Sequence, residues 1–203
     1  MPVFLLALAI GAIWFLNIRE QHKRIRVLAT VLGQFQVEKL METVADGYLR
    51  ALGESDSERS SQVWNMLGQA ELTLNGQLQA FVQEFDKVDA ASARFSTLPL
   101  GLPFALKLFP GSSADLRSLL HLHAKGIDAL VRNEEGLSQK DKAFTLTAEL
   151  LLLQHSCQWF CRSKAMASSR MMARHRTPHA QLLASVSVKT RNAYKQLLGW
   201  VSG

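Results

Sequence analysis

Apolar side chains recur every three or four residues along most of this chain, which is the spacing of one face of an α-helix. The longest stripe runs through Val63, Leu67, Ala70, Leu74, Leu78, Phe81, Phe85 and Val88. No alternating run bounded by hairpin turns is present, so no strand pair is predicted. The pattern therefore predicts an all-α fold, with a single N-terminal transmembrane helix followed by a four- to five-helix bundle.

The first eighteen residues depart from this pattern because they are apolar on every side. Residues 3–18 read VFLLALAIGAIWFLNI, contain no charge, and have Asn17 as their only strongly polar side chain. As a helix they span about 24 Å, slightly less than the hydrocarbon core of a bilayer. We interpret residues 1–18 as an uncleaved membrane anchor. A cleaved signal peptide and a buried core helix are the alternatives, but no basic residue precedes the apolar run and no small-residue cleavage site follows it.

Basic residues follow this apolar run at once. Residues 19–35 continue the helical pattern and carry Arg19, Lys23, Arg24 and Arg26. Because positive flanks stay on the cytoplasmic side, the bulk of the chain is expected in the cytoplasm, as a single-pass protein of the inner membrane if the source is bacterial.

The remaining residues, 36–203, are predicted to form the helical bundle domain. Glycines and capping residues give the helix ends, with Asp56 or Ser55, Ser112 with Asp115, Ser138 with Asp141, and Thr177–Pro178 as the starting signals. The predicted helices cover residues 36–52, about 56–88, 112–132, 139–173 and 178–200. The helix over 139–173 is apolar on two faces, so it is expected to be the central helix or to contact a partner.

One segment within the bundle, residues 96–111, reads STLPLGLPFALKLFPG. Its three prolines and two glycines exclude a regular helix through the whole segment, although it is strongly apolar. We predict a connection that covers the core of its own bundle. The alternative is a loop that dips into the membrane interface.

The net charge of +6 is unevenly distributed along the chain. Residues 27–149 carry 11 basic and 16 acidic side chains, whereas residues 150–203 carry eight basic side chains and no acidic one. This asymmetry indicates either pairing between the two regions or binding of an anionic partner. The candidate contacts are Lys23, Arg24, Arg26, Arg162, Lys164, Arg170, Arg174, Arg176, Lys189, Arg191 and Lys195.

Two cysteines and a histidine lie close together in the sequence, at His155, Cys157 and Cys161. The cysteines are one helical turn apart, but a zinc site requires four ligands and no second cysteine pair exists. His155 would point away from Cys157 on a helix. We therefore predict that the cysteines pack as small apolar groups.

The other paired histidines suggest no ligand set. His121 and His123 fall on different helix faces, so one is expected to be partly buried and the other exposed. His175 and His179 lie in a basic turn whose charge is expected to grow at mildly acid pH.

No motif for catalysis or cofactor binding is present. The chain has no G-x-S-x-G, no phosphate-binding loop and no dinucleotide fingerprint, so no catalytic, cofactor-binding or metal-binding residue is predicted. The preferred interpretation is a membrane-anchored helical binding or scaffolding module on the cytoplasmic face, held by residues 3–18, whose partner is anionic lipid head groups or an acidic protein. A membrane-tethered nucleic-acid-binding protein using the basic 162–195 region, and an enzyme with an unrecognised helical site, are the alternatives.

Overall fold

The computed structural model describes residues 2–200, except the side chains of residues 2, 3, 7, 9 and 57. This part of the chain contains ten helices and two short strands. In order they are α1 Pro2–Leu32, α2 Val37–Gly53, α3 Ser57–Phe85, α4 Ala90–Ala93, β1 Arg94–Ser96, α5 Ala105–Leu108, β2 Ser113–Asp115, α6 Leu116–Val131, α7 Gln139–Cys161, α8 Lys164–His175, α9 His179–Ser185 and α10 Val188–Leu197. The all-α class is confirmed. Residues 1 and 201–203, which belong to the predicted anchor and bundle, lie outside the described residues.

Helix α1 has an exposed apolar first half and a second half that packs into the bundle. It is the one helix of the described residues that is long and apolar enough to cross a membrane, with a mean hydropathy of 1.3 and 0% of its most apolar window buried. Further along, Leu28 and Val31 are buried in the core. Helix α1 continues without a break from its apolar first half to Leu32, three residues short of the predicted end at residue 35.

The bundle is built around α7, which packs against α1, α2, α6, α8 and α9, whereas α3 packs mainly against α1, α2 and α6. Buried side chains leave α7 in several directions, among them Leu146 and Leu150 on one side and Leu152 and Trp159 on another. This helix is buried on more than one face, so its predicted central position is confirmed.

Two predicted helix boundaries between residues 112 and 173 are wrong. The helix expected from Ser112 begins only at Leu116, because Asp115 is held in extended backbone and caps the helix by accepting from the Arg117 amide. The helix expected over 139–173 breaks at Arg162, and Ser163 caps α8 by accepting from the Met166 amide.

The C-terminal helix also breaks, giving α9 and α10. Ser187 is extended and its hydroxyl accepts from the Thr190 amide, so it starts a new helix. Pro178 is the residue before the helix rather than its first residue, because its ψ of 146° is extended. A serine cap inside a long apolar stripe therefore splits into two helices a region that hydrophobic periodicity predicts as one helix.

A two-stranded antiparallel pair closes off the segment that the sequence marked as apolar and rich in proline. Strand β1 pairs with β2 so that Phe95 faces Ala114. The prediction of no strand pair is wrong, since strands of three residues are too short for an alternating pattern to reveal.

We call residues 97–112 the apolar loop. Its larger side chains are mostly exposed, with Leu100 at 64% and Leu108 at 65%, so the prediction that it covers the core is also wrong.

Candidate binding groove

A groove of about 870 Å³ runs between α1, α2, α7 and α8. Such a volume lies within the usual range of ligand-binding pockets. Its floor is mainly apolar and is contributed by α1 and α7. The side chains of this floor include Ile25, Leu28, Leu32, Leu150, Leu151, Leu153, Cys157 and Cys161.

One side of the groove is acidic. Helix α2 contributes Glu38, Glu42 and Asp46, which are spaced by four residues and therefore follow one face of the helix. All three side chains are exposed. Within the described residues, none of the three is in a salt bridge with a basic side chain.

The other side is basic and comes from α8 and the end of α7. Arg170 and Arg174 are one helical turn apart, are exposed, and line the groove together with Arg162. Arg162 is held at the end of the groove that is nearest α1, where its Nη1 donates to Gln21 Oε1 at 2.8 Å. Unlike Arg162, Arg170 and Arg174 have no carboxylate or carbonyl partner recorded in the described part of the chain.

Both cysteines of the chain lie in this groove as free thiols. Burial raises the pKa of Cys161 to about 11, although nearby Arg24, Arg162 and Arg170 act in the opposite direction. Burial likewise raises the pKa of Cys157. Both thiols are therefore protonated at neutral pH, and both pack against the core, which confirms their predicted packing role. In the described residues no cluster of three or more His, Cys, Asp or Glu side chains could hold a metal ion.

Two polar atoms on the groove are buried without a hydrogen-bond partner in the described structure. They are Gln158 Oε1 on α7 and His175 Nε2 at the end of α8. Buried polar atoms are normally paired, so these two mark positions where an occupant can supply hydrogen bonds.

The predicted anionic-contact residues occupy several places rather than one. Arg24 is largely buried at 17% exposure and donates to the Phe160 carbonyl, so it is structural. Lys164 stacks on Trp200 with its Nζ 3.8 Å from the ring centre. Lys189 pairs with Glu135 at 3.4 Å, which is one instance of the expected pairing between the basic and acidic regions.

The other members of the set complete this picture. Arg191 donates to the Ala184 carbonyl, Lys195 is half-buried, and Lys23, Arg26 and Arg176 are exposed. Contact of these residues with an anionic partner stays a prediction.

A buried polar group that sequence patterns did not reveal lies where α6, α7 and α10 meet. Glu149 is fully buried, accepts from the Ser187 amide at 3.2 Å, and leaves its Oε2 without a partner in the described residues. Burial raises the pKa of this carboxyl, although hydrogen bonds from Thr190 and Ser187 lower it in part. The available signal was a single charge inside the apolar run AELLLL.

Further along α7, the Ser156 hydroxyl lies 2.9 Å from Nε2 of His123, which is on α6. Both side chains are fully buried, so neither reaches a solvent-borne substrate in this conformation. His121 instead lies on the surface, 2.8 Å from Asp86, which confirms that the two histidines occupy different faces.

The second histidine pair behaves differently from the prediction. His179 packs against His155 with ring centres 4.4 Å apart and the ring planes tilted by 38°. Burial lowers the pKa of His179 to about 4, so its ring does not gain charge at mildly acid pH. Burial also lowers the pKa of His175. Both His175 and His179 are half-buried, which is why their pKa values fall.

No protein-family model, curated protein sequence or solved structure matches this chain. Its function must therefore be argued from the groove, the exposed apolar half of α1 and the distribution of charge.

Proposed function

We propose that the protein is a membrane-anchored binding module on the cytoplasmic face, and that its groove receives an amphipathic helix of a partner protein. The anchor is the exposed apolar first half of α1. Its basic flank, with Arg19, Lys23 and Arg26 exposed, supports a cytoplasmic position for the bundle.

The length of the groove favours an elongated occupant. Helix α7 lines it from Thr147 to Arg162, a distance of about 22 Å along the helix. A helix of about 15 residues has this length, and an apolar stripe on it would face the floor. Binding of an amphipathic helix in an apolar groove is a common mode of peptide recognition.

The opposite charges of the two sides are the observation that carries the proposal. A partner helix with basic residues on one flank and acidic residues on the other would pair with α2 and α8 at the same time. Nucleic acid carries charge of one sign only, so it would be repelled by Glu38, Glu42 and Asp46. Neither anionic lipid nor nucleic acid matches this arrangement as well as a peptide with both charges.

The proposal can be tested with designed peptides. Three fluorescent helical peptides of equal length would share a leucine stripe and differ in their flanks, which are lysine and glutamate, lysine only, or glutamate only. The full chain would be held in nanodiscs of neutral lipid, and binding would be measured by fluorescence anisotropy. We expect the peptide with both flanks to bind most tightly and to slow alkylation of Cys157 and Cys161, because it would cover them.

Charge-reversal variants distinguish binding in the groove from attraction by the overall charge of the protein. Arg170→Glu with Arg174→Glu should weaken the two-flank peptide by about tenfold or more, as loss of two ion pairs in a partly enclosed site predicts. Lys140→Glu with Lys195→Glu makes the same charge change outside the groove and should have little effect. Equal weakening by both pairs, or tighter binding of a DNA duplex than of any peptide, would contradict the proposal.

A further inference from the structure

We infer that the apolar loop, residues 97–112, inserts into the lipid interface beside the anchor and gives the protein a second contact with the membrane. The inference rests on the proposed anchoring by α1. The partner is the lipid surface itself.

The base of the loop is held rigidly. Strands β1 and β2 pair, and the Thr97 amide donates to the Ser112 carbonyl at 2.9 Å, which closes the loop into a hairpin. Phe95 on β1 is fully buried and packs edge-on against Trp159 and Phe160 of the central helix. A fixed base means that the position of the loop is determined by the bundle.

The loop lies against α1 at the point where its apolar surface ends. Asn17 Nδ2 donates to the Gly101 carbonyl at 3.0 Å, and the Phe104 amide donates to Glu20 Oε1 at 3.1 Å. A Cβ added at Gly101 would lie 3.3 Å from Gln21 Nε2 and 3.4 Å from Asn17 Nδ2, so the loop backbone packs directly on α1. These contacts also explain why the apolar run contains one strongly polar residue, since Asn17 binds the loop backbone.

The loop is therefore level with the exit of the proposed anchor from the hydrocarbon. The last exposed apolar residues of α1 are Trp14 and Phe15, at 65% and 61%. Asn17 and Glu20 lie about 3 Å and about 7.5 Å beyond Phe15 along the helix axis, which places their loop partners in the interfacial zone of a bilayer. The anchor alone is slightly short for a full hydrocarbon core, and an inserted loop would allow the bundle to sit deeper.

The side chains that the loop presents at this level are large and apolar. The exposed ones are Leu100, Leu102, Phe104, Leu106, Leu108 and Phe109, with exposures from 36% to 65%. Lys107 is the one charge in the loop, and its Nζ lies 5.9 Å from the Phe104 ring centre. A lysine among leucine and phenylalanine suits the interface, where its stem is buried and its ammonium reaches the head groups.

The position of the apolar loop favours lipid, rather than a soluble protein, as the partner that covers its exposed side chains. The loop contacts α1 directly after its exposed apolar half, through Gly101 and Phe104, so both apolar surfaces would face the bilayer from the same end of the bundle. A soluble partner covering the loop would have to avoid the membrane beside it. Exposed apolar surface of this kind, at the level of a bilayer, is typical of an interfacial segment.

Depth-dependent quenching tests the inference on the full chain. In a Cys157→Ala, Cys161→Ala background, a single cysteine would be placed at Leu108→Cys, Trp14→Cys or Met66→Cys and labelled with an environment-sensitive fluorophore. Met66 is 74% exposed on α3 and serves as a matched exposed control. Each labelled protein would be reconstituted in vesicles whose lipids carry bromine high on the acyl chain, next to vesicles without bromine.

We expect bromine to reduce the emission at positions 108 and 14 at least about twofold, because both lie within the depth reached by interfacial segments, and to leave position 66 unchanged. Quenching at 14 but not at 108 would overturn the inserted loop and leave the anchor intact. Quenching at neither position would overturn the anchoring itself. Equal quenching at position 66 would also overturn the assignment, because the membrane contact would then not be specific to the loop.

Discussion

Two histidines, His123 and His155, are buried where α7 meets its neighbours, and burial favours their neutral form. Burial lowers the pKa of His123 to about 3 and that of His155 to about 3, with His179 and Lys164 adding to the effect at His155. Both imidazoles are fully buried. They are therefore neutral in the folded protein at pH 7 and well below it.

The stability of the protein should consequently fall as the pH drops from 7 to 5. The unfolded chain binds protons at these two histidines below about pH 6.5, whereas the folded chain does not until about pH 3, so acid favours the unfolded state. Each histidine should contribute about 2 kcal/mol of lost stability at pH 5. Urea unfolding of the micelle-bound chain at both pH values would measure this loss.

A non-titrating variant isolates the effect. His123→Asn retains a group able to hydrogen-bond Ser156 but cannot be protonated, so the loss between pH 7 and pH 5 should shrink by about 2 kcal/mol. Glu149→Gln should be made in parallel, because the raised pKa of Glu149 gives the opposite pH dependence. A pH dependence that His123→Asn leaves unchanged would show that this histidine is not responsible.

At the scale of helices and strands, sequence periodicity identified the helical regions but not the breaks within them. The stripe over 139–173 continues through Arg162, and only the geometry of Ser163 as a cap shows that the chain turns. The same holds for α9 and α10 at Ser187. A serine within an apolar stripe is compatible with either a helix interior or a cap, and packing against α6 and α7 decides between them.

The groove could be predicted only in part for the same reason. The charges on α2 and α8 are visible in the sequence, and so are the two cysteines. Their convergence depends on the turn at Arg162, which places α8 back along α7, and periodicity does not reveal that turn. The fully buried Glu149 was missed because a lone carboxylate in a helix is ordinarily solvent-facing.

Contact between α6 and α10 is close enough that one glycine is required. A Cβ added at Gly126 would meet Thr190 Oγ1 at 2.4 Å and a Glu149 carboxylate oxygen at 3.3 Å. Gly126→Ala should therefore destabilise the protein by about 1–3 kcal/mol, because Thr190 is buried and β-branched and has little room to move. Thermal unfolding of the purified chain would measure the change.

A glycine in open space is the matched control. A Cβ at Gly76, in the interior of α3, meets nothing within 4 Å. Gly76→Ala should stabilise the protein by up to about 1 kcal/mol through helix propensity alone. If both alanine variants changed stability in the same direction, the close approach at Gly126 would not be the cause.

At the scale of the whole molecule, three features lie close together: the apolar half of α1, the apolar loop and the basic flank. Lys23 and Arg26 are exposed just beyond the level where Asn17 and Glu20 bind the loop. The exposed apolar half of α1, the apolar loop and the positive charges thus lie at one end of the bundle, while the groove extends along α7. This arrangement would present a partner helix close to, but above, the membrane surface.

The proposed cytoplasmic orientation rests on that basic flank, so we expect a change of the flank to reverse it. A reporter enzyme that is active only outside the cytoplasm, fused after Gly203, should be silent on the native sequence. Changing Arg19, Lys23 and Arg26 to Gln, with two lysines inserted after Met1, should activate it. Arg24 must be kept, because it bonds to the Phe160 carbonyl. Changing Arg50, Arg59 and Lys140 to Gln removes equal charge far from the span and should leave the reporter silent. Strong reporter activity on the native sequence would place the bundle on the opposite side, because the positive flank would then have been translocated.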